Sequence, residues 1–323
     1  MTEPTITICL SAYNGERFLA EQLASFQAQT YQNWQLLIHD DGSTDHTVEI
    51  VRKYAQSDSR IHLADLGGHL GIKRAFIALL KEQDTDFYAF SDQDDVWEPE
   101  KLTTLVDALA SENSEKPLLA YSRFSEIDSG GRPLPEDDRH PIYSTAFKDF
   151  LMINTVTGCT VLLNRSLRNK LLAPSVAVNY SLMTMHDAWA ALVASAFGNV
   201  IFVDQPLVRY RQHGDNVLGA PGTANLLVRI ARLLKFREAK IVGGNVRQTG
   251  EFLRCYQGQL AAKEAALAEG VAAIFDDWAP IKKISFLRRE HLFVKSNSLN
   301  IQIKTLLWLP TPLRRYILGK ATK

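Results

Sequence analysis

"TITICLSAYNGERFLAEQLASFQAQTYQNWQLLIHDDGS" occupies residues 5–43, and its reading decides the fold. "TITICLSAY" alternates and is rich in β-branched residues, so it predicts a strand ending near Ser11. "GERFLAEQLASFQAQT" places Phe18, Leu19, Leu23 and Phe26 at helical spacing. "WQLLIHDDGS" is a short apolar strand that stops at Asp40, Asp41 and Gly42. Strand, helix, strand is the unit from which parallel sheets are built.

The alternation continues outward. "STDHTVEIVRKYAQ" predicts a helix with Ser43 or Thr44 as N-cap, and "RIHLADL" another strand. "GGHLGIKRAFIALLKE" is a glycine turn leading into a helix. "DFYAFSD" is a strand, and "PEKLTTLVDALAS" a helix with Pro99 near its first turn. The fold class is therefore α/β with a mostly parallel central sheet. Further on, "PLLAYSRFSEID" predicts a strand, "HDAWAALVASAFG" a helix, and "NVIFVDQPLVRYRQHG" a strand pair or one strand with a bent extension. Beyond about residue 222 the pattern is helical throughout.

In sheets of this kind ligands bind beyond the carboxyl ends of the strands. Three strands here end in polar clusters: Ser11 to Asn14, then Asp40-Asp41, then Asp92 to Asp95 within "FSDQDDVWEP". Converging carboxylates repel one another, and a hard divalent cation such as Mg²⁺ or Mn²⁺ relieves that repulsion. A lone acidic trio can equally be a solvated turn; its place after a buried strand favours the ion. There is no "GxxxxGK[ST]" loop and no "GxGxxG" after the first strand, which excludes the common nucleotide-binding signatures. "GGHLG" at 67–71 is a turn and helix entry whose amides, with Lys73 and Arg74, face a diphosphate or simply begin the helix.

Composition narrows the class. The chain has 323 residues, 46% hydrophobic and 22% charged, with zero formal net charge, so it is a folded protein and no nucleic-acid binder. Three widely spaced cysteines exclude a disulfide framework, place Cys9 in the core, and favour a cytoplasmic setting. "MTEPTITICL" has no signal-peptide pattern, and no stretch nears the roughly 20 apolar residues that span a bilayer. The charge is uneven: residues 281–323 hold ten Lys/Arg against one acid, Glu290.

Four blocks in order carry a family resemblance. The stretch from "SAYNGERF" to "DDGSTDHT", then "SDQDDVWEPEKL", "MHDAWAALVASAFG" and "YRQHGDNVLG" together resemble family 2 glycosyltransferases, most closely the bacterial rhamnosyltransferase-like branch. The resemblance covers roughly residues 4–220. It implies a GT-A fold, which is Rossmann-like and typical of nucleotide-diphospho-sugar transferases. It further implies a catalytic domain over 1–222, a helical region over 223–323, and inverting transfer from a nucleotide sugar to a hydroxyl.

The resemblance also implies roles. Asp187 is the general base; the family's usual Glu-Asp pair is His186-Asp187 here, and Asp187 also suits a helix N-cap. Asp94 ligates the metal, Asp92 binds it through water or contacts the ribose, and His213 completes the shell or contacts the diphosphate. Asp40 accepts from the base N3–H, Asp41 has a turn or ribose role, and Ala12 and Tyr13 border the base. Lys73 and Arg211 face the nucleotide sugar. Asp95 touches the acceptor, stands behind the metal ligands, or caps the helix after Pro99. Trp97 and Trp189 are platforms for an acceptor sugar or else core residues. Thr157-Gly158-Cys159 is a backbone approach to donor or acceptor. The implied donor is a dTDP- or UDP-sugar, best dTDP-L-rhamnose, and the acceptor a glycan or lipid-linked oligosaccharide of a surface polysaccharide. Two rivals stay open: a nucleotidyltransferase, and an inactive sugar-nucleotide or glycan-binding module.

"NLLVRIARLLKF" sets Leu226, Leu227, Ile230, Leu233 and Leu234 against Arg229, Arg232 and Lys235. "TLLWLPTPLRRYILGK" combines Leu306, Leu307, Trp308 and Leu309 with Arg314 and Arg315. Basic amphipathic helices with Trp suit an anionic membrane surface, here the inner face of the cell membrane. The alternative is packing on the catalytic domain or on a second copy as a homodimer.

Overall fold

β1 (Ile6–Ala12) runs through the middle of the parallel part of the sheet. Five of its first five side chains are buried, as expected of a strand covered on both faces. In the computed structural model, residues 3–135, 143–213, 237–276, 279–292, 297–311 and 317–318 are described. β2 (Trp34–Asp40) and β4 (Phe87–Ser91) flank β1 in parallel, and β3 (Ile61–Leu63) lies outside β2. The full order is β3-β2-β1-β4-β7-β6-β8-β5, with β5 (Val96–Trp97), β6 (Leu118–Ile127), β7 (Val161–Asn164) and β8 (Asn199–Arg211). β7 runs antiparallel to both β4 and β6, and β5 antiparallel to β8. The sheet is mostly parallel, as the alternating pattern predicts.

The connecting helices are α1 (Leu19–Gln27), α2 (Thr47–Ser57), α3 (Ile72–Glu82) and α4 (Lys101–Ala110). Leu19, Leu23 and Phe26 of α1 are fully buried against the sheet. Each such side chain contributes about 1.5–3 kcal/mol of burial. The sequence extends α1 from Gly15 to Thr30; the helix is shorter because residues 15–18 form a turn at the strand ends. α2 begins after His46 rather than on a Ser or Thr cap, since Asp45 Oδ1 takes the Thr47 amide at 3.0 Å. "NVIFVDQPLVRYRQHG" is one strand as far as Arg211, with its register against β6 shifting between Ser122 and Ser125. The shift passes Pro206, a residue that cannot donate to a ladder.

The chain divides into two compact units. The first comprises Met1–His140, Val156–Ala173 and Met185–Ala220, and the second Pro141–Thr155, Pro174–Thr184 and Pro221–Lys323. The first unit holds the sheet, α6 (Arg165–Leu172) and α7 (His186–Phe197); the short α5 (Phe147–Phe150) belongs to the second. In the second unit the helix Arg237–Cys255 organises two segments from earlier in the chain. Asn245 Nδ2 donates to the Met152 carbonyl at 3.0 Å and Thr249 Oγ1 to that of Leu151 at 2.9 Å. Gln248 Oε1 accepts from the Thr184 amide at 2.7 Å and Glu251 Oε1 from that of Asn179 at 2.6 Å. Helices Ala262–Ala272, Pro280–Arg289 and Asn297–Trp308 follow. "NLLVRIARLLKF", Arg314 and Arg315 lie outside the described residues. In the last helix Leu306 and Leu307 are buried within the unit, so they do not join Trp308 on an outward face.

Candidate active site

The parallel register puts three chain exits on one edge. Ala12 stands opposite Asp40, and Leu10 opposite Ser91, so the residues after β1, β2 and β4 emerge together. Each exit is then tied to the next. Gln93 Oε1 accepts from the Tyr13 amide at 2.8 Å, and Gln93 Nε2 donates to the Tyr13 carbonyl at 3.0 Å. Asn14 has φ +47°, a left-handed conformation that Asn tolerates, and its side chain accepts from the Thr44 amide at 2.8 Å. Gly15 is required for space: a Cβ there would lie 2.4 Å from Gln93 Oε1.

Asp40 accepts from the Ser43 amide at 3.1 Å and remains partly exposed beside Tyr13, whose ring is 53% exposed. Ala12, buried, closes β1 behind them. Asp41 faces the other way. Its carboxylate takes the amides of Leu70 at 2.6 Å and Gly71 at 3.0 Å, with His39 at 3.3 Å and His69 at 2.9 Å. That pins the "GGHLG" loop, whose Gly71 (φ +72°) opens α3. Asp41 therefore serves the turn. Lys73 sits half-buried in the first turn of α3, and burial lowers its pKa.

The acidic cluster divides by depth. Asp94 stays partly open, and its Oδ2 lies 2.6 Å from His213 Nε2. Phe18 stacks on the His213 ring with centroids 5.1 Å apart. Asp92 is half-buried, and its pKa is pushed well up by burial, then by the charges of Asp95, Asp94 and Asp187. Asp95 is fully buried. Its Oδ1 accepts from the Arg211 amide at 3.0 Å, and its pKa is pushed up to about 7 by burial and then by Asp94. Of the roles expected of Asp95, acceptor contact and a helix cap are corrected, since it is inaccessible and Glu100 stands at the start of α4; a place behind the edge residues is the expectation that its burial leaves.

Arg211 is also corrected. Its side chain is 1% exposed, and its guanidinium is spent on the Asp94 carbonyl at 2.7 Å and Glu21 at 2.6 Å, so it shapes the acidic loop instead of facing a nucleotide. Trp97 and Trp189 are 1% and 0% exposed, which leaves neither ring a face for a sugar. Trp97 packs edge-on against Phe26, and Trp189 lies in the first turn of α7, which is buried from His186 to Ala194.

Asp187 is 7% exposed at the start of α7, against the Gly158 backbone, and its charge is among those that raise the Asp92 pKa. His186, beside it, is 2% exposed, stacks on Phe76 at 3.8 Å, and has neither ring nitrogen partnered among the described residues. Burial pushes its pKa down to about 3, so it is neutral. Gly158 lies against both: a Cβ would fall 3.0 Å from His186 Nε2 and 3.7 Å from Asp187 Cβ. The backbone approach expected from Thr157-Gly158-Cys159 to donor or acceptor is, at Gly158, an approach to His186 and Asp187.

Sequence reasoning passed over Gln93, Gly15, Glu21 and Lys101. Lys101 left a signal, because it is four residues before Leu105 on the buried face of α4. The others act across distant stretches of chain and left none.

A divalent ion fits what is present. The donors at the edge are carboxylate oxygens with one imidazole, suited to Mg²⁺ or Mn²⁺. The raised pKa values of Asp92 and Asp95, caused first by burial and then by neighbouring carboxylates, mark a crowded acidic group of the kind a divalent ion relieves.

Comparison with known proteins agrees with this geometry. The sequence model of Glycosyl transferase family 2 matches residues 7–172. The chain is 28% identical over 228 residues to the dTDP-rhamnosyl transferase RfbG of Shigella flexneri, covering 65% of this chain and 74% of that protein. It is 32% identical over 177 residues to WfgD of Escherichia coli, a UDP-Glc:alpha-D-GlcNAc-diphosphoundecaprenol beta-1,3-glucosyltransferase, covering 54% of this chain and 66% of that one. In fold it resembles S. aureus TarS, solved with UDP-GlcNAc, at a TM-score of 0.57 and 15% identity, over 94% of this chain and 78% of that chain. The matched stretch runs through every strand exit described above, and the chain belongs to glycosyltransferase family 2, an enzyme family, with the GT-A fold.

Proposed function

We propose that the protein transfers a sugar, with inversion, from a nucleoside-diphosphate donor to a hydroxyl of a glycan or lipid-linked oligosaccharide in bacterial surface-polysaccharide synthesis. The observation that carries this reading is the meeting of Asp94 and His213 at the edge where the chain leaves β1, β2 and β4.

In this reading Asp94, His213 and Asp92 hold Mg²⁺ or Mn²⁺. The bound ion supplies Lewis-acid neutralisation of the departing diphosphate. The chain's own residues do the rest. Asp40 accepts from the base N3–H, with Tyr13 and Ala12 bordering the base and Lys73 near the diphosphate. Gln93 locks the base loop to the acidic loop, so donor and ion are held in one frame. Asp187 takes the proton from the acceptor hydroxyl as its oxygen attacks the anomeric carbon. His186, held neutral by burial, and the Gly158 backbone line that carboxylate.

The donor is read as dTDP-L-rhamnose, which the likeness to RfbG supports; UDP-linked glucose and N-acetylglucosamine belong in the same panel because of WfgD and TarS. A lipid-linked acceptor accords with WfgD and with the exposed apolar side chains Ile281, on a helix with Lys282, Arg288 and Arg289, and Ile301 and Trp308, on a helix with Lys304. These suit a peripheral site on the inner face of the cell membrane. No helix among the described residues is long and apolar enough to cross a bilayer.

The test is transfer with purified protein, a panel of dTDP- and UDP-sugars, and Mg²⁺ or Mn²⁺. Ion-dependent turnover of dTDP-L-rhamnose is expected. Turnover of UDP-hexoses alone would replace the rhamnose reading, and donor binding without turnover would favour a binding module.

A further inference from the structure

The cation beneath the acidic edge is a lysine. Lys101 opens α4 with none of its surface exposed. Its Nζ donates to the Cys159 carbonyl at 2.6 Å and sits 2.9 Å from the centroid of the Trp97 ring. Lysine is rarely buried whole, because its ammonium loses water. Burial accordingly pushes its pKa well down, and one carbonyl, one aromatic face and the nearby charges of Asp95 and Asp92 act the other way.

Above it, Asp92, Asp95 and Cys159 each offer a ligand atom, all within 4.8 Å of one another. The Asp95 Oδ2 in this group is fully buried and has no N–H or O–H partner among the described residues. Two carboxylates and a thiol would suit a thiophilic ion such as Zn²⁺ or Cd²⁺. An ion there would stand close to the Lys101 nitrogen, held 2.6 Å from the Cys159 carbonyl, and when that nitrogen carries its proton the two like charges repel strongly in a poorly screened interior. Cys159 also follows Gly158, whose backbone lies against His186 and Asp187. A hold on the Cys159 carbonyl is thus a hold on the wall beside the base.

We propose that Lys101 is a positioning residue for transfer: its buried ammonium is the built-in counter-charge of Asp92 and Asp95, it clamps the Gly158–Thr160 turn through the Cys159 carbonyl, and it keeps a second ion out of the Asp92–Asp95–Cys159 group. The inference rests on the reading of Asp94 and His213 as the divalent-ion edge. It assigns one ion per chain, held at that edge.

The experiment is a Cd²⁺ titration of the full chain, followed by equilibrium dialysis and by the sulfur-to-cadmium ultraviolet band. Wild type should bind one Cd²⁺ without the band. Lys101→Met should gain a second Cd²⁺ with the band, and Lys101→Met/Cys159→Ser should lose both. Lys101→Arg, which keeps the charge, should show no band. Transfer by Lys101→Met should lose up to about 100-fold in kcat through misplacement, with donor KM little changed. A Cys159-dependent band in wild type overturns the proposal, as does a folded Lys101→Met that still binds one ion without a band. Should Lys101→Met not fold, Lys101→Gln is read by the same criteria. Wild type that binds no Cd²⁺ at all would count against the ion reading of Asp94 and His213, while the band in the variant would still decide the role of Lys101.

Discussion

His213 Nε2 lies 2.6 Å from Asp94 Oδ2, across 119 residues of chain. Phe18 holds the imidazole plane from a third stretch of sequence. A ligand pair formed in this way should be functional before it is structural, because both side chains keep some exposure, 12% and 17%. Asp94→Ala and His213→Ala are each expected to lower ion affinity or ion-dependent turnover by at least about 10- to 100-fold. Their melting temperatures without ion should stay close to wild type. Full ion-dependent activity in Asp94→Ala would remove it from the ligand set.

Asp187→Asn keeps the size of the side chain and removes the base. Turnover should fall by roughly 10²- to 10⁴-fold with donor KM nearly constant. Steady-state kinetics with saturating donor reads this directly. Unchanged kcat would mean that the proton leaves by another group.

Gly15→Ala drives a Cβ into the Gln93 amide at 2.4 Å. Overpacking of this kind costs about 1–3 kcal/mol. Gln93 would also leave the Tyr13 backbone, so donor KM should rise. Urea unfolding and donor titration of Gly15→Ala, Gln93→Ala and the double variant test the coupling. If the two effects simply add, the Gln93 contact is not what Gly15 protects.

His186 gives a pH dependence. Burial lowers its pKa from 6.5 to about 3. Between these values the unfolded chain takes up a proton that the folded chain does not. The stability from keeping the imidazole neutral is therefore present above 6.5 and is lost as pH falls toward 3. The greatest slope is about 1.4 kcal/mol per pH unit. Urea unfolding of wild type and His186→Leu should show the wild type losing more stability on acidification from about pH 7 to about pH 4. Asp95, whose raised pKa works in the opposite sense, is common to both chains and cancels. A wild-type-minus-variant difference independent of pH would contradict a buried neutral imidazole.

Ile301 and Trp308 are 58% and 55% exposed and stand seven residues apart on one helix. Ile301→Ser/Trp308→Ser should weaken binding to vesicles of anionic lipid by roughly tenfold or more, since each apolar side chain is worth about 1.5–3 kcal/mol on burial. Co-sedimentation measures it. Equal binding by both proteins would exclude this face as the contact, and a change in oligomeric state would point to a second copy instead.

The parallel strands were legible in the sequence because a buried parallel strand must be apolar along its length, and β1, β2 and β4 are. The strand-end clusters were legible because polar residues stop such runs abruptly: Asp40 after Ile38, Asp92 after Phe90. Asp94 and His213 could be paired only through the resemblance, since no local pattern links them. Trp97 and Trp189 show the limit from the other side. An aromatic near a site looks the same in sequence whether it is a platform or a core residue, and only burial separates the two.

By itself the sequence determined the alternation of strands and helices, and with it which edge of the sheet would carry the polar side chains; these follow from local periodicity. Tertiary structure alone decided how the charges on that edge are balanced. Asp41 turns back to hold the "GGHLG" loop, Arg211 reaches across to Glu21 and the Asp94 carbonyl, and Lys101 lies under the cluster against Cys159. Each of these is a contact between distant segments, and its energy depends on desolvation. Desolvation belongs to the packed chain, and no stretch of residues states it in advance.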